Sequence, residues 1–111
     1  MGAYEIKSMR DGSFMWNLKA GNGEVILTSQ KYKSKASARK GIASVATNCG
    51  TDSCFERKVA RNNKPYFVLK AMNGQAIGKS EMYESTRSRD NGIKSVAKNG
   101  TTTKINDLTK K

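Results

Sequence analysis

The chain has 111 residues, room for one domain and not for two independent ones. It carries 21 Lys and Arg against 9 Asp and Glu, with no His, two Cys, one Pro and a net charge of +12. That composition argues against collagen-like and Pro-rich disordered classes, and without His the commonest acid–base and zinc-ligating side chain is missing.

Tyr4-Glu5-Ile6-Lys7-Ser8 alternates as a first strand and meets a turn signal at Asp11-Gly12. Phe14, Trp16, Leu18 and Ala20 fall on one face of a second strand. Asn22-Gly23 predicts a type I′ hairpin, with positive φ at both residues, and Glu24 to Thr28 returns as a third strand. Ser34 sits where a helix N-cap belongs. Ala38, Gly41, Ile42, Val45 and Ala46 then form an apolar stripe at helical spacing.

From Phe55 the pattern returns. Displacing the sequence by 51 residues lays Leu18-Lys19-Ala20-x-Asn22-Gly23 on Leu69-Lys70-Ala71-x-Asn73-Gly74, and Tyr32-x-Ser34 on Tyr83-x-Ser85. Gly41-Ile42-x-Ser44-Val45-Ala46-x-Asn48 likewise lies on Gly92-Ile93-x-Ser95-Val96-Ala97-x-Asn99, with no gap. The second copy predicts strands at Phe55–Val59, Phe67–Ala71 and Gln75–Lys79, with Pro65 standing where the first copy has Phe14. Its helix is capped by Ser85, has Arg89 at the edge of the apolar stripe, and should stop in a left-handed cap at Asn99-Gly100. Lys104 to Leu108 reads as a short closing strand; the matching Ser53 to Arg57 runs directly into the second module.

A unit of about 50 residues cannot easily shield its single apolar face. The expected architecture is therefore one α+β domain over residues 1–111, with repeats at about 2–50 and 52–109. Both repeats would contribute strands to one mostly antiparallel sheet and lay both helices on one face, with pseudo-twofold symmetry. Phe14 or Trp16, Leu18, Ile26, Ile42 and Val45 should form the core with Phe67, Leu69, Ile77, Ile93 and Val96. Gly41 and Gly92 would let each helix approach the sheet closely.

Leu-Lys-Ala-x-Asn-Gly, Tyr-x-Ser and Gly-Ile-x-Ser-Val, each present twice, resemble the YegP-like family of uncharacterised bacterial proteins. Ser80-Glu81-Met82-Tyr83 and Asp90-Asn91-Gly92-Ile93 fit the same family, and the match covers nearly the whole chain. The resemblance implies a β-β-β-α-β unit assembled in twos, with final strands exchanged, so that Lys104–Leu108 would pair beside strands of the first copy. It implies no activity, cofactor or catalytic residue.

The residues themselves point away from an enzyme. No phosphate-binding loop or dinucleotide fingerprint occurs. Glu5 and Glu56 correspond between copies and could meet as an acid–base pair, but strand carboxylates among basic neighbours are ordinarily solvated ion pairs. Cys49 and Cys54 are expected as two reduced thiols, and no metal or other cofactor is expected. No apolar run nears the roughly 20 residues that cross a bilayer, and the first residues lack a secretory pattern, so a cytoplasmic location is expected.

The charge suggests an anionic partner. No acid occurs between Glu24 and Asp52, while Lys31, Lys33, Lys35, Arg39 and Lys40 lie within ten residues. The candidate contacts are Lys19, Lys35, Arg39, Lys40, Lys70, Arg87, Lys94 and Lys98, most of them on the solvent side of the helices. Tyr4, Tyr66 or Met15, if outward on the sheet, could stack bases. The expected partner is nucleic acid or an acidic protein, not a membrane, with the chain a monomer or weak homodimer. The alternative is a protein-interaction module acting through open sheet edges. The uncovered face of the sheet discriminates: Lys-rich with outward aromatics for nucleic acid, apolar for protein.

Overall fold

The computed structural model describes residues 2–109. Strands β1 (Ala3–Ser8), β2 (Phe14–Lys19) and β3 (Val25–Ser29) lead into helix α1 (Lys35–Asn48). A 3₁₀ turn, Asp52–Cys54, connects to β4 (Phe55–Val59), β5 (Pro65–Lys70), β6 (Ala76–Lys79), helix α2 (Thr86–Asn99) and β7 (Ile105–Asp107). All seven strands join one mixed sheet in the order β4-β5-β6-β3-β2-β1-β7. Every neighbouring pair is antiparallel except β1 and β7. The closing strand thus lies beside the first strand of the chain, where Tyr4 N–H donates to Lys104 O at 3.0 Å and Leu108 N–H to Ile6 O at 2.8 Å.

The pairings of the two halves coincide after a shift of 51 residues: Tyr4 faces Leu18 and Phe55 faces Leu69. A bulge after Leu18 recurs after Leu69. It supplies one extra residue, so neighbours Ile26 and Leu27 are both buried instead of alternating. The anticipated core is present, with Trp16 fully enclosed and Phe14 packed against its margin. Pro65 begins β5 and is buried. Phe14 exchanges two backbone bonds with Tyr32, whereas Pro65 has no N–H and only accepts from Tyr83 N–H at 2.8 Å.

The hairpins differ from the type I′ expectation. Gly23 and Gly74 have φ of +87° and +87°, but the Asn before each is not left-handed. Each loop is a three-residue turn in which Gly23 N–H reaches Ala20 O and Gly74 N–H reaches Ala71 O. The Asn side chain completes it by accepting from the backbone two residues on, Asn22 Oδ1 from Glu24 and Asn73 Oδ1 from Gln75, both at 3.0 Å. Asp11-Gly12 and Asn62-Asn63 repeat this design, with Asn63 taking the left-handed place at φ 64°.

Ser34 and Ser85 cap the helices as expected, accepting from Ser37 and Ser88 backbone N–H at 3.1 and 3.0 Å. The left-handed stop at Gly100 is not found: its φ and ψ are −64° and −20°. Gly is needed there for space. A Cβ on Gly100 would lie 2.8 Å from the Sγ of Cys49, the residue equivalent to it in the first half. Gly78 repeats the relation, since its Cβ would lie 2.9 Å from Cγ of Leu27, again 51 residues earlier. Where equivalent residues meet, one copy supplies bulk and the other leaves room.

Both helices cover one face of the sheet and reach across the seam. Helix α1 packs on β2 and also on β5 and β6; α2 packs on β5 and also on β2 and β3. The end of α2 is bonded to the start of the chain, with Asn99 Oδ1 accepting from Gly2 N–H at 2.8 Å and Gly100 O from the Tyr4 hydroxyl at 2.7 Å. Tyr4 is therefore an interior residue and not an outward aromatic. Burial raises its hydroxyl pKa, and the adjacent Cys49 thiol adds to the rise.

Strand β7 is fastened through Asp107, whose Oδ2 accepts from Lys35 Nζ at 3.0 Å and lies 3.6 Å from Arg39 Nη2. The Thr109 hydroxyl, its backbone N–H and then Lys35 hold the Asp107 carboxyl below the usual range. A depressed carboxylate contributes fully above its unfolded pKa of about 4 and loses that contribution as pH falls toward its folded value. Amide exchange at Tyr4 and Leu108 is therefore expected to quicken relative to core strands as pH drops below about 4. Asp107→Asn should show the faster exchange at neutral pH too, and unchanged protection would dismiss the carboxylate as a fastener.

Candidate functional site

The face opposite the helices is open. The register places Asn106, Glu5, Asn17, Thr28, Lys79, Val68 and Glu56 in one row across the sheet. Lys7 beside Met15, and Lys58 beside Tyr66, extend it at equivalent places in the two halves. Five lysines (7, 19, 58, 70 and 79) thus share this face with two glutamates. Lys19 Nζ lies 3.2 Å from Glu5, and Lys70 Nζ lies 2.8 Å from Glu56. The Lys70 hydrogen bond and charge hold the Glu56 carboxyl below its usual range, with Lys58 assisting. Local pairing absorbs both carboxylates. Lys7 and Lys79 are left without an acidic partner among the described residues.

Between the lysines, Met15, Tyr66 and Val68 are half-buried, their upper surfaces exposed. Thr28 Oγ1 donates to Asn17 Oδ1 at 3.0 Å in the middle of the face. An open groove of about 420 Å³ follows the β3–β6 seam, bounded by Thr28, Gln30, Val68, Ala76 and Lys79. The pattern that places Lys7 and Lys58 here is strand parity. Parity holds for Lys7, one residue from Ile6, and for Lys58, three from Phe55; Lys79 is two residues from Ile77 and reaches this face because the bulge opposite Leu69 shifts the alternation.

The eight cations chosen from sequence do not converge. Lys19 and Lys70 are on the open face, each already paired. Lys35 and Arg39 hold Asp107. Lys40 and Arg87 are exposed on different helices. Lys94 and Lys98 line a cleft of about 430 Å³ against the β2–β3 hairpin, on the helix side. Glu5 and Glu56 do not meet, because β1 and β4 are separated by four intervening strands; each is instead the expected ion pair with a neighbouring lysine. Cys49 and Cys54 are free thiols, both buried, and burial raises the pKa of Cys49. Among the described residues no group of three His, Cys, Asp or Glu could hold a metal, and no helix is long and apolar enough to cross a membrane.

Comparison with known proteins places this geometry. A domain of unknown function, DUF1508, matches twice, over residues 10–56 and 60–107. The UPF0339 protein of Acinetobacter baylyi is 58% identical over 108 residues, covering 97% of each chain. The chain belongs to the YegP-like UPF0339 family. The YegP protein of Yersinia pestis is 55% identical, over 98% of this chain and 97% of its own. The solution structure of Escherichia coli YegP, described as a protein of unknown function, superposes with a TM-score of 0.94 at 50% identity. That alignment covers 99% of this chain and 95% of that one. The Shewanella oneidensis UPF0339 solution structure gives a TM-score of 0.92 at 56% identity, over 97% and 92% of the two chains. Two matches to one domain agree with a duplication inside the YegP-like chain.

Proposed function

We propose that the protein binds single-stranded nucleic acid, without sequence preference, across the open face of its sheet. The observation that carries this reading is the lysine-rich, uncovered face with Tyr66, Met15 and Val68 set among the cations. Lysines contact phosphates and release counterions, and an exposed ring offers a stacking surface for any base. A strand of nucleic acid suits an open sheet better than a duplex does, because its bases can splay onto the surface. In this reading the duplicated unit is β-β-β-α-β with exchanged last strands, so Lys7 and Lys58 recur on one continuous platform.

Fluorescence anisotropy with a labelled oligo-U or oligo-dT tests it. Affinity should fall steeply with salt, and Lys7→Ala/Lys58→Ala/Lys79→Ala should flatten the logarithmic salt slope by about 2. Tyr66→Ala should cost about 1–3 kcal/mol at any salt. Lys94→Ala/Lys98→Ala, on the helix side, should change little. Absence of binding at micromolar protein and low salt would end the proposal, as would a larger loss from the helix-side variant.

A further inference from the structure

We infer that one edge of the sheet, strand β4, pairs with β4 of a second copy of the chain in antiparallel register centred on Arg57. Strands β1 and β4 are equivalent in the two halves but differ in occupancy. On β1 the outward backbone groups, Tyr4 N–H and Ile6 O, are taken by β7. Shifted by 51 residues, the outward groups of β4 belong to Phe55, Arg57 and Val59, since Glu56 and Lys58 face β5 as Glu5 and Lys7 face β2. Among the described residues no strand covers them. Residues 54–56, which match β7, are themselves the end of the 3₁₀ turn and the start of β4.

The edge is selective about what it accepts. Phe55 N–H already donates to Asp52 O, so the parallel register that β7 uses on β1 lacks its first donor here. An antiparallel copy centred on Arg57 needs only Arg57 N–H and O, Val59 N–H and Phe55 O, and all of these are free for it. In that register Glu56 faces Lys58 of the partner, twice over by symmetry, on the open face. A shift of the symmetry centre by one residue would set Glu56 against Glu56 or Lys58 against Lys58. The two central arginines are neutralised within each chain, Arg57 lying 3.2 Å from Asp52 and 3.3 Å from Asp90. Val59, 63% exposed, would be covered by Phe55 of the second copy.

Charges usually protect an edge from such pairing. Here their order along Glu56-Arg57-Lys58 makes the edge complementary to itself and to few other strands. The contact is small, and two chains of +12 repel, so the association is weak and best observed near physiological salt. The symmetry axis lies perpendicular to the sheet, which leaves both lysine-rich faces on the same side; the pairing stands whether or not they bind nucleic acid.

Sedimentation equilibrium of the full chain, from about 10 μM to about 1 mM, tests this. The average mass should climb toward twice the monomer value, with Arg57 and Val59 amides gaining protection as concentration rises. Glu56→Lys should hold the chain monomeric, and Glu56→Lys/Lys58→Glu should restore the climb. Val59→Pro removes one edge donor that faces away from β5; it should abolish pairing while the thermal midpoint stays within a few degrees. A chain that remains monomeric to 1 mM overturns the inference, and so does a dimer indifferent to these substitutions or not recovered by the charge exchange.

Discussion

Exchanging two residues, Leu27→Gly with Gly78→Leu, is expected to recover most of the stability that either substitution alone destroys. The positions are equivalent in the two halves and adjoin where the halves meet, Leu27 filling the space that a Gly78 side chain would need. Leu27→Gly alone removes a fully buried side chain and adds strand flexibility, at a cost of about 3–5 kcal/mol. Gly78→Leu alone drives its Cβ against Leu27 Cγ at 2.9 Å and Thr28 O at 3.0 Å, an overpacking of about 1–3 kcal/mol or more. In the exchanged protein the same volume enters from the other strand. Denaturant unfolding of the four proteins should therefore give a coupling of several kcal/mol, of order the smaller single effect or greater. Simple additivity would mean that the two residues do not share one space.

Filling the helical glycines should be nearly as damaging. A Cβ on Gly41 would stand 2.2 Å from the Tyr32 hydroxyl, and one on Gly92 would stand 2.2 Å from that of Tyr83. The ring carbon bearing each hydroxyl is also closer than 3.0 Å, so the whole ring must move and not only its tip. Tyr83 is stacked against Phe67, with centroids 6.3 Å apart, which opposes that movement. Gly41→Leu and Gly92→Leu should each lower stability by about 1–3 kcal/mol, measured as a fall in thermal midpoint. Pairing Gly92→Leu with Tyr83→Ala should cost less than the sum of the two, because the leucine enters the space the ring vacates. Unchanged midpoints for the single variants would show that the helices clear these rings.

The spacing Tyr-x-Ser, then Gly seven residues after the Ser, takes its meaning from that geometry. Serine caps the helix, and glycine two turns on makes room for the tyrosine ring below it. The sequence shows that the glycines lie on the buried side of each helix. It does not show that a side chain, more than the sheet backbone, comes close to them.

The open face was readable in part. Alternation along β1, β2, β4 and β5 determines which residues turn away from Ile6, Trp16 and Phe67, and so places Lys7, Lys19, Lys58, Lys70, Met15 and Tyr66 together. The run from Lys31 to Lys40 points instead to the helices, because charge density along a chain is local in sequence whereas density across paired strands is not. Tyr4 illustrates the opposite error. Its parity with Ile6 already marks it as inward, and the fold encloses it completely.

What local sequence decides by itself is the content of each unit. Strand alternation, the serine caps and the helical stripe are short-range patterns, each written within a few turns or one strand, and the 51-residue repeat writes them twice. What required the tertiary structure is everything at the join: Leu27 against Gly78, Cys49 against Gly100, β7 on β1, and an uncovered β4. Those contacts link residues far apart in sequence, and their outcome depends on which copy contributes volume or a strand. A repeat says that two units match; only packing says how they must differ to fit together.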